Sequence, residues 1–232
     1  MSTPAPRRSA AAKTPNGRKP GVRELAAQAT RESILKAAIR VFAKNGFAGG
    51  RVEQISKAAK SYDRMIYYYF GSKEGLFIAA LEETYKRFND AESELELALE
   101  HPVESLKAVI RFIWSYYLKH PEFINLLNSE NLHRGKHISK SLRAREYSSA
   151  AISVLDQVLR AGTDKGAFRG DVAARDIYLM IASLGYFYLS NRFTLSAFLG
   201  ENLEAPAALA HWESFLTDAV LRTIAPAAPA AA

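Results

Sequence analysis

The sequence predicts an all-α chain: an N-terminal three-helix helix-turn-helix domain followed by a larger helical domain, about nine helices in total. Three observations carry that prediction. The stretch Ile55 to Leu76 reads as two short helices around a three-residue turn, followed by the capped start of a third. From Ser72 onward, apolar residues recur at helical spacing, punctuated by His-Pro pairs and glycines. Charge also divides along the chain. Residues 1–23 carry six basic side chains and no acid, residues 24–73 carry nine basic and four acidic, and −4 of the total +7 is left for the remainder. A basic end on a mildly acidic body is the footprint of a protein that meets a polyanion.

A chain of 232 residues can bury a sizeable core, as one large domain or as a small domain joined to a larger one. It has no cysteine, which rules out a disulfide framework and a thiolate metal site. No apolar run reaches the ~18 residues needed to span a bilayer, and the N-terminus lacks the apolar segment of a secretory signal. A soluble, cytoplasmic protein without membrane contact is expected.

Residues 1–22 are rich in Pro, Ala, Gly, Ser and basic residues and should be a disordered basic arm. It is either an arm touching phosphates or the minor groove, or a solubilising tail. The DNA-binding domain is expected over residues 23–72. Its first helix spans about Glu24 to Lys44, with Ile34, Ala38, Val41 and Phe42 on one face, and Asn45-Gly46 ends it. A second helix begins at about Val52, where free N–H groups can hold a phosphate and Arg51 can reinforce the contact. Ile55, Ala58 and Ala59 give this helix a small apolar face. The turn falls at Lys60 to Tyr62. The third helix runs from about Asp63 to Tyr69, with Ile66 and Phe70 inward at i, i+4. Ser72 is the expected N-cap of the fourth, with Glu74 near its positive end.

The run Arg31 to Phe77 resembles the DNA-binding domain of TetR-family transcriptional regulators. The matching positions are Ile34, Leu35, Ala38, Phe42, Gly46, Phe47, Val52, Ile55, Ala58, Ala59, Tyr67, Tyr68, Phe70, Ser72, Lys73, Glu74 and Leu76. The Tyr-Tyr-x-Phe-x-Ser-Lys-Glu ending is the specific part. By resemblance, Tyr67 and Tyr68 contact DNA backbone or bases, Lys73 contacts a phosphate, and Tyr69 stands where relatives often place a phosphate-binding His. One of the three tyrosines should be mainly core, and Tyr67 is the expected one. The chain departs from relatives at Lys60, where Gly is usual, and at Tyr62, Asp63 and Arg64, where small residues are usual. Lys60 should therefore adopt positive φ. Arg64 can pair bidentately with a guanine edge, while Asp63 can accept from a cytosine or orient Arg64.

The larger domain is expected over residues 73–225, with a disordered Ala/Pro tail at 226–232. A fourth helix should run from Lys73, bent or broken, to about Glu100. A fifth spans about Val103 to Lys119 with Leu106, Val109, Ile110, Ile113, Trp114 and Tyr117 inward, a sixth Glu122 to His133, and a seventh Ile138 to Gly162. Asp171 is the expected cap of an eighth helix reaching Phe198, and a ninth covers Ala207 to Ile224. Helix eight is apolar on most sides and so needs partners on most sides. In the TetR family the corresponding last two helices form a four-helix dimer interface, which here implicates Phe187, Trp212 and Phe215. The alternative is an internal core helix.

The family's larger domain usually binds a small-molecule effector. The candidate polar groups are Trp114, Tyr117, Asn128, Glu130, His133, Tyr147, Tyr178 and Tyr186, each of which can equally be plain core. The segment from Pro121 to Gly135 resembles the subgroup that includes pyrimidine-utilisation repressors. No Gly-rich phosphate loop, nucleophile elbow or metal pattern emerges. His133 and His137 stand at i, i+4, but Gly135 lies between them and no third ligand is placed. No cofactor, metal or enzymatic activity is expected. The sequence and its resemblance thus imply a ligand-responsive regulator, by resemblance a repressor, that binds a palindrome in double-stranded DNA as a homodimer. An architectural DNA-binding protein without an effector and a helical enzyme or carrier are the rivals.

Overall fold

A computed structural model describes residues 21–141 and 143–226, and of residues 144, 145, 147–151 it describes the backbone alone. The basic arm, except its last two residues, and the tail beyond Pro226 lie outside the described residues, as does the side chain of Tyr147. Nine α-helices follow one another among the described residues: α1 Val22–Gly49, α2 Val52–Ala58, α3 Asp63–Phe70, α4 Lys73–Ser93, α5 Pro102–Lys119, α6 Pro121–Leu132, α7 Ala144–Asp164, α8 Ala174–Leu199 and α9 Pro206–Ile224, with a 3-10 turn at Ile138–Lys140.

Proline sets three of these starts. Pro102, Pro121 and Pro206 each occupy a helix's first position, where the missing N–H costs nothing. Thus His120-Pro121 both ends α5 and opens α6. α1 is interrupted at Gly46, whose φ of 68° breaks the helical path before a last turn to Gly49. Ser72 caps α4 as expected, its Oγ accepting from Gly75 N at 2.9 Å. Three boundaries differ from expectation. α4 stops at Ser93, and residues 95–98 carry no regular structure. The seventh helix divides into the 3-10 turn and α7. Asp171 is not a cap: it pairs with Arg169 at 2.8 Å, and the extended Ala173 precedes α8.

Two buried cores result. The smaller joins α1 to α4 around Ile34, Ala38, Phe42, Ile55, Ile66 and Phe77, with Leu126 of α6. The larger joins α4, α5 and α7 to α9 around Phe88, Ile110, Trp114, Leu155, Ile181 and Val220. α6 straddles them: Phe123 and Ile124 belong to the larger core, whereas Leu126 is fully buried in the smaller. An apolar residue deep in each core ties the helix to both units.

Candidate nucleic-acid interface and ligand cavity

The reading unit is built on α2 and α3. Lys60 has φ of 51°, the positive value expected for the turn. Backbone closes the turn through Ser61 N donating to Ser56 O at 2.9 Å. Ile66 is fully buried and anchors α3, while Phe70 is half-buried beneath the Arg31 guanidinium, 4.9 Å from its ring centroid. Ala58, expected inward, is exposed. Gly75 is required at the start of α4, because a Cβ there would lie 2.2 Å from Phe70 O.

The outer face of α3 and its cap carries Tyr62, Arg64, Tyr67 and Tyr68, all exposed. The tyrosine assignment is corrected: Tyr67 is 52% exposed, and the half-buried ring against the smaller core is Tyr69. Helical geometry explains this, since Tyr69 follows Ile66 at i+3 and shares its face, whereas Tyr67 at i+1 is turned away. The Asp63 carboxylate is engaged inside the unit: its Oδ1 accepts from Ser56 Oγ at 2.5 Å, tying α3 to α2, and no ion pair joins it to Arg64 among the described residues. Arg64 rests instead over the Tyr62 ring at 5.3 Å. Val52 has its side chain in the core, leaving only backbone for a phosphate. Arg51 is exposed, and its N–H donates to Gln54 Oε1 at 3.3 Å. Lys73 Nζ donates to Ala48 O at 3.3 Å and lies 4.9 Å from the Phe47 ring centroid, so its charge is held beside the loop before α2.

Behind this face, α6 is bonded to the reading unit. Ser129 Oγ accepts from Phe47 N at 3.1 Å, and the Phe47 ring packs on the rings of His133 and His137. Glu130 proves structural: its carboxylate accepts from His137 N and Nδ1, both at 2.7 Å, and from Ile138 N at 2.9 Å. With its oxygens occupied and the residue buried, it is not placed to hold a ligand. His133 Nδ1 bonds Ser129 O at 2.7 Å, which satisfies a carbonyl at the end of α6.

On the other side of α6 lies a cavity of about 260 Å³, open to the surface beside the exposed Asn131, Leu179 and Ser183 and lined also by Tyr85, Tyr117, Phe123, Leu127, Tyr178, Ala182 and Tyr186. It gathers Tyr117, Tyr178 and Tyr186 from the expected ligand set. Trp114 is not on its wall; it is buried edge-on against Tyr188, behind Gly185. Tyr186 Oη donates to Asn128 Oδ1, which also accepts from Ser190 Oγ at 2.9 Å, and Asn131 Nδ2 donates to Tyr186 Oη at 3.3 Å. Burial pushes the Tyr85 phenol up to about 12 and raises those of Tyr117 and Tyr178. These phenols are therefore neutral hydrogen-bonding groups at ordinary pH.

α8 and α9 keep large apolar groups outside. Phe187 is 57% exposed and Phe215 51%, and Leu179, Phe193 and Phe198 are also exposed. Trp212 is half-buried, stacked on Tyr188 with centroids 4.8 Å apart, and donates to Leu184 O at 3.2 Å. Beside it an apolar hollow of about 460 Å³ is lined by Phe187, Leu195, Leu199, Leu203 and Trp212, among others.

Comparison with known proteins settles the family. The model of bacterial regulatory proteins, tetR family, matches residues 34–80, and that of the tetracyclin repressor-like C-terminal domain matches residues 102–220. The chain belongs to the TetR family. It is similar to the HTH-type transcriptional repressor NicS of Pseudomonas putida, with 54% identity over 205 residues, covering 88% of this chain and 97% of that protein. Its fold is similar to that of the putative transcriptional regulator SCO4942 from Streptomyces coelicolor, with TM-score 0.62 and 19% identity, covering 84% and 98% of the two chains. It is 43% identical to the HTH-type transcriptional regulator RutR of Escherichia coli K12 over 63 residues, which is 27% of this chain and 30% of that protein. So short a match carries no ligand assignment.

This TetR-family chain is thus a helix-turn-helix, DNA-binding transcription regulator. Sequence reasoning missed Tyr85, Phe123, Leu127 and Asn131 as cavity groups. Spacing contained the signal for α6, where Leu127 and Asn131 stand at i, i+4 and share one side.

Proposed function

We propose that the chain is a transcriptional repressor that binds a palindromic operator as a homodimer and releases it when a small effector enters the tyrosine cavity. The observation that carries this reading is the exposed Tyr62-Arg64-Tyr67-Tyr68 face on a chain similar along almost its whole length to a transcriptional repressor. Arg64 reads a base edge, Tyr67 and Tyr68 contact backbone or bases, and Arg51, Tyr69 and Lys73 serve phosphates. Two copies joined through α8 and α9, with Phe187, Trp212 and Phe215 between them, would set two reading helices about 34–36 Å apart. The exposure of Phe187 and Phe215 in the single chain supports the joining.

α6 is the coupling element of this reading. One side carries Leu127 and Asn131 at the cavity, and the next residues carry Ser129 and Glu130, bonded to the reading unit or to its supporting turn. An effector that favours one placement of α6 would alter the spacing of the reading helices, by no more than its differential affinity for the two states. An architectural protein without an effector would fill its interior with its own rings; the space beside Tyr178 and Tyr186 favours the effector reading.

The test is selection of bound sequences from a random duplex pool by the purified protein at two salt concentrations. An enriched palindrome is expected. Salt-sensitive binding without enrichment would replace this reading with the architectural one.

A further inference from the structure

The fold itself has little use for Tyr62. It is the N-cap of α3, a position that favours Ser, Thr, Asp or Asn because their short side chains accept from the free N–H groups of the first turn. The Tyr62 side chain makes no such bond. Its backbone, at φ −112° and ψ 148°, is extended chain that any residue adopts. The ring is 71% exposed and belongs to neither core. Arg64, two residues on, is also poorly chosen for the helix alone, since a cation in the first turn meets the positive end of α3. It is exposed and forms no hydrogen bond or ion pair among the described residues. The acid beside it, Asp63, is bonded to Ser56. What Tyr62 and Arg64 have is each other: the guanidinium carbon lies over the Tyr62 ring, 5.3 Å from its centroid.

We propose that Tyr62 is a positioning residue for DNA reading, its ring holding the Arg64 guanidinium so that base preference at the pair Arg64 meets depends on Tyr62. The proposal rests on the assignment of Arg64 to a base edge. The nature of the contact is what suits it to this task. A carboxylate partner would occupy the N–H donors in the guanidinium plane, the same donors that a guanine edge needs. An aromatic ring attracts the cation through its π face and leaves those donors free. An unheld arginine loses rotamer freedom when it docks, and one already held loses less. The place in the helix also fits, because the N-terminal residues of the second helix of the motif are the ones that reach base edges. A phosphate can be met by a guanidinium from many directions, whereas a guanine edge accepts both donors in one plane. Holding Arg64 therefore favours the preferred duplex over others.

The experiment measures, by fluorescence anisotropy, binding of the full chain to the selected operator duplex and to duplexes changed at the base pair where Arg64→Ala loses preference. Tyr62→Ser and Tyr62→Phe are compared with the unmodified protein, and thermal unfolding is followed for each. Tyr62→Ser supplies the missing cap hydroxyl, so its Tm should be no lower. It should nevertheless bind the preferred duplex roughly 3–10-fold more weakly and lose preference at that one base pair. Tyr62→Phe, which keeps the ring face, should match the unmodified protein in both respects. In the Arg64→Ala background, Tyr62→Ser should have no further effect. Preference retained by Tyr62→Ser, a loss of equal size on every duplex, or a loss that Tyr62→Phe shares would each overturn the role of Tyr62 and leave Arg64 as the reader. An Arg64→Ala variant that keeps every base preference would overturn the assignment of Arg64 and this proposal with it.

Discussion

The reading unit and the body that carries it are finished to different degrees. In the smaller core Ile34, Phe42, Ile55, Ile66, Leu76 and Phe77 are wholly buried, and the buried polar groups around it have partners: Ser56 with Asp63, and Glu130 with His137. In the larger domain a carboxylate, that of Glu92, is buried without a partner among the described residues, tyrosines line an open pocket, and aromatic rings stand out on α8. The contrast separates two tasks. A surface that reads base edges must hold its side chains in fixed register, which a closed core provides. A domain that responds to a ligand needs an interior whose free energy a ligand can change. α6, rooted in both cores, is where the two meet.

The largest expected effect comes from opening the finished core. Phe77→Ala removes a ring packed edge-on to Phe42 at 5.1 Å and to His137 at 5.0 Å. It should cost about 3–5 kcal/mol in denaturant unfolding and abolish operator binding. A loss below about 1 kcal/mol would mean that this core is far looser than its burial implies.

Next come the two positions that divide specificity from affinity. Arg64→Ala should cost about 1–3 kcal/mol on the preferred duplex and relax base preference at one position of each half-site. Lys73→Ala should weaken binding about equally on all sequences and lower the salt slope by about one. Quantitative binding to the selected duplex and to a scrambled one, across salt, checks both. Unchanged binding by both variants would sink the docking assigned to α3.

A third test addresses the unfinished side through pH. The Glu92 carboxyl stands at about 7 in the folded chain against 4.5 for a free side chain. The folded state thus binds more protons between those values, and stability falls as pH rises from about 4.5 to 7. The penalty is absent at lower pH and complete above about 7. Tyr117 and Tyr178, the phenols that feel this charge, remain protonated throughout. Glu92→Gln should be more stable than the unmodified protein by on the order of 2 kcal/mol at pH 8 and nearly equal to it at pH 4.5. Equal stability at both pH values would show that the carboxylate is solvated.

The smallest expected effect is at the junction. Ser129→Ala removes the acceptor for Phe47 N and should cost about 1 kcal/mol. Hydrogen exchange at the Phe47 amide should quicken, and a protection factor equal to that of the unmodified protein would remove Ser129 from the coupling route.

Much of this was legible in the chain because its signals are local. The His-Pro pairs fixed α5 and α6, the Ser72 cap fixed the start of α4, and the departure at Lys60 foretold its positive φ. Where local signals compete, the reading failed. Tyr67 and Tyr69 are alike in chemistry, and only their offset from Ile66 tells them apart. Asp171 is a good capping residue in isolation, yet Arg169 holds it and the helix begins three residues later. Burial of acids was the least legible feature. Glu92 sits in the acidic run Asp90-Ala-Glu-Ser-Glu-Leu-Glu96, which reads as a solvated face, and the partners of Glu130 lie across a turn seven and eight residues away. Such contacts depend on how helices are brought together, which spacing along one helix does not record.

The coupling of cavity to reading head is tested most directly by giving the cavity a permanent occupant. Ala182→Trp, placed on the cavity wall, should leave the fold intact and change affinity for the selected operator duplex by roughly 5–150-fold, the usual span of coupling between sites. Combining it with Ser129→Ala should shrink that change. Fluorescence anisotropy of the labelled duplex, with matched thermal unfolding curves, reads both. An operator affinity that stays the same with the cavity filled would contradict the account.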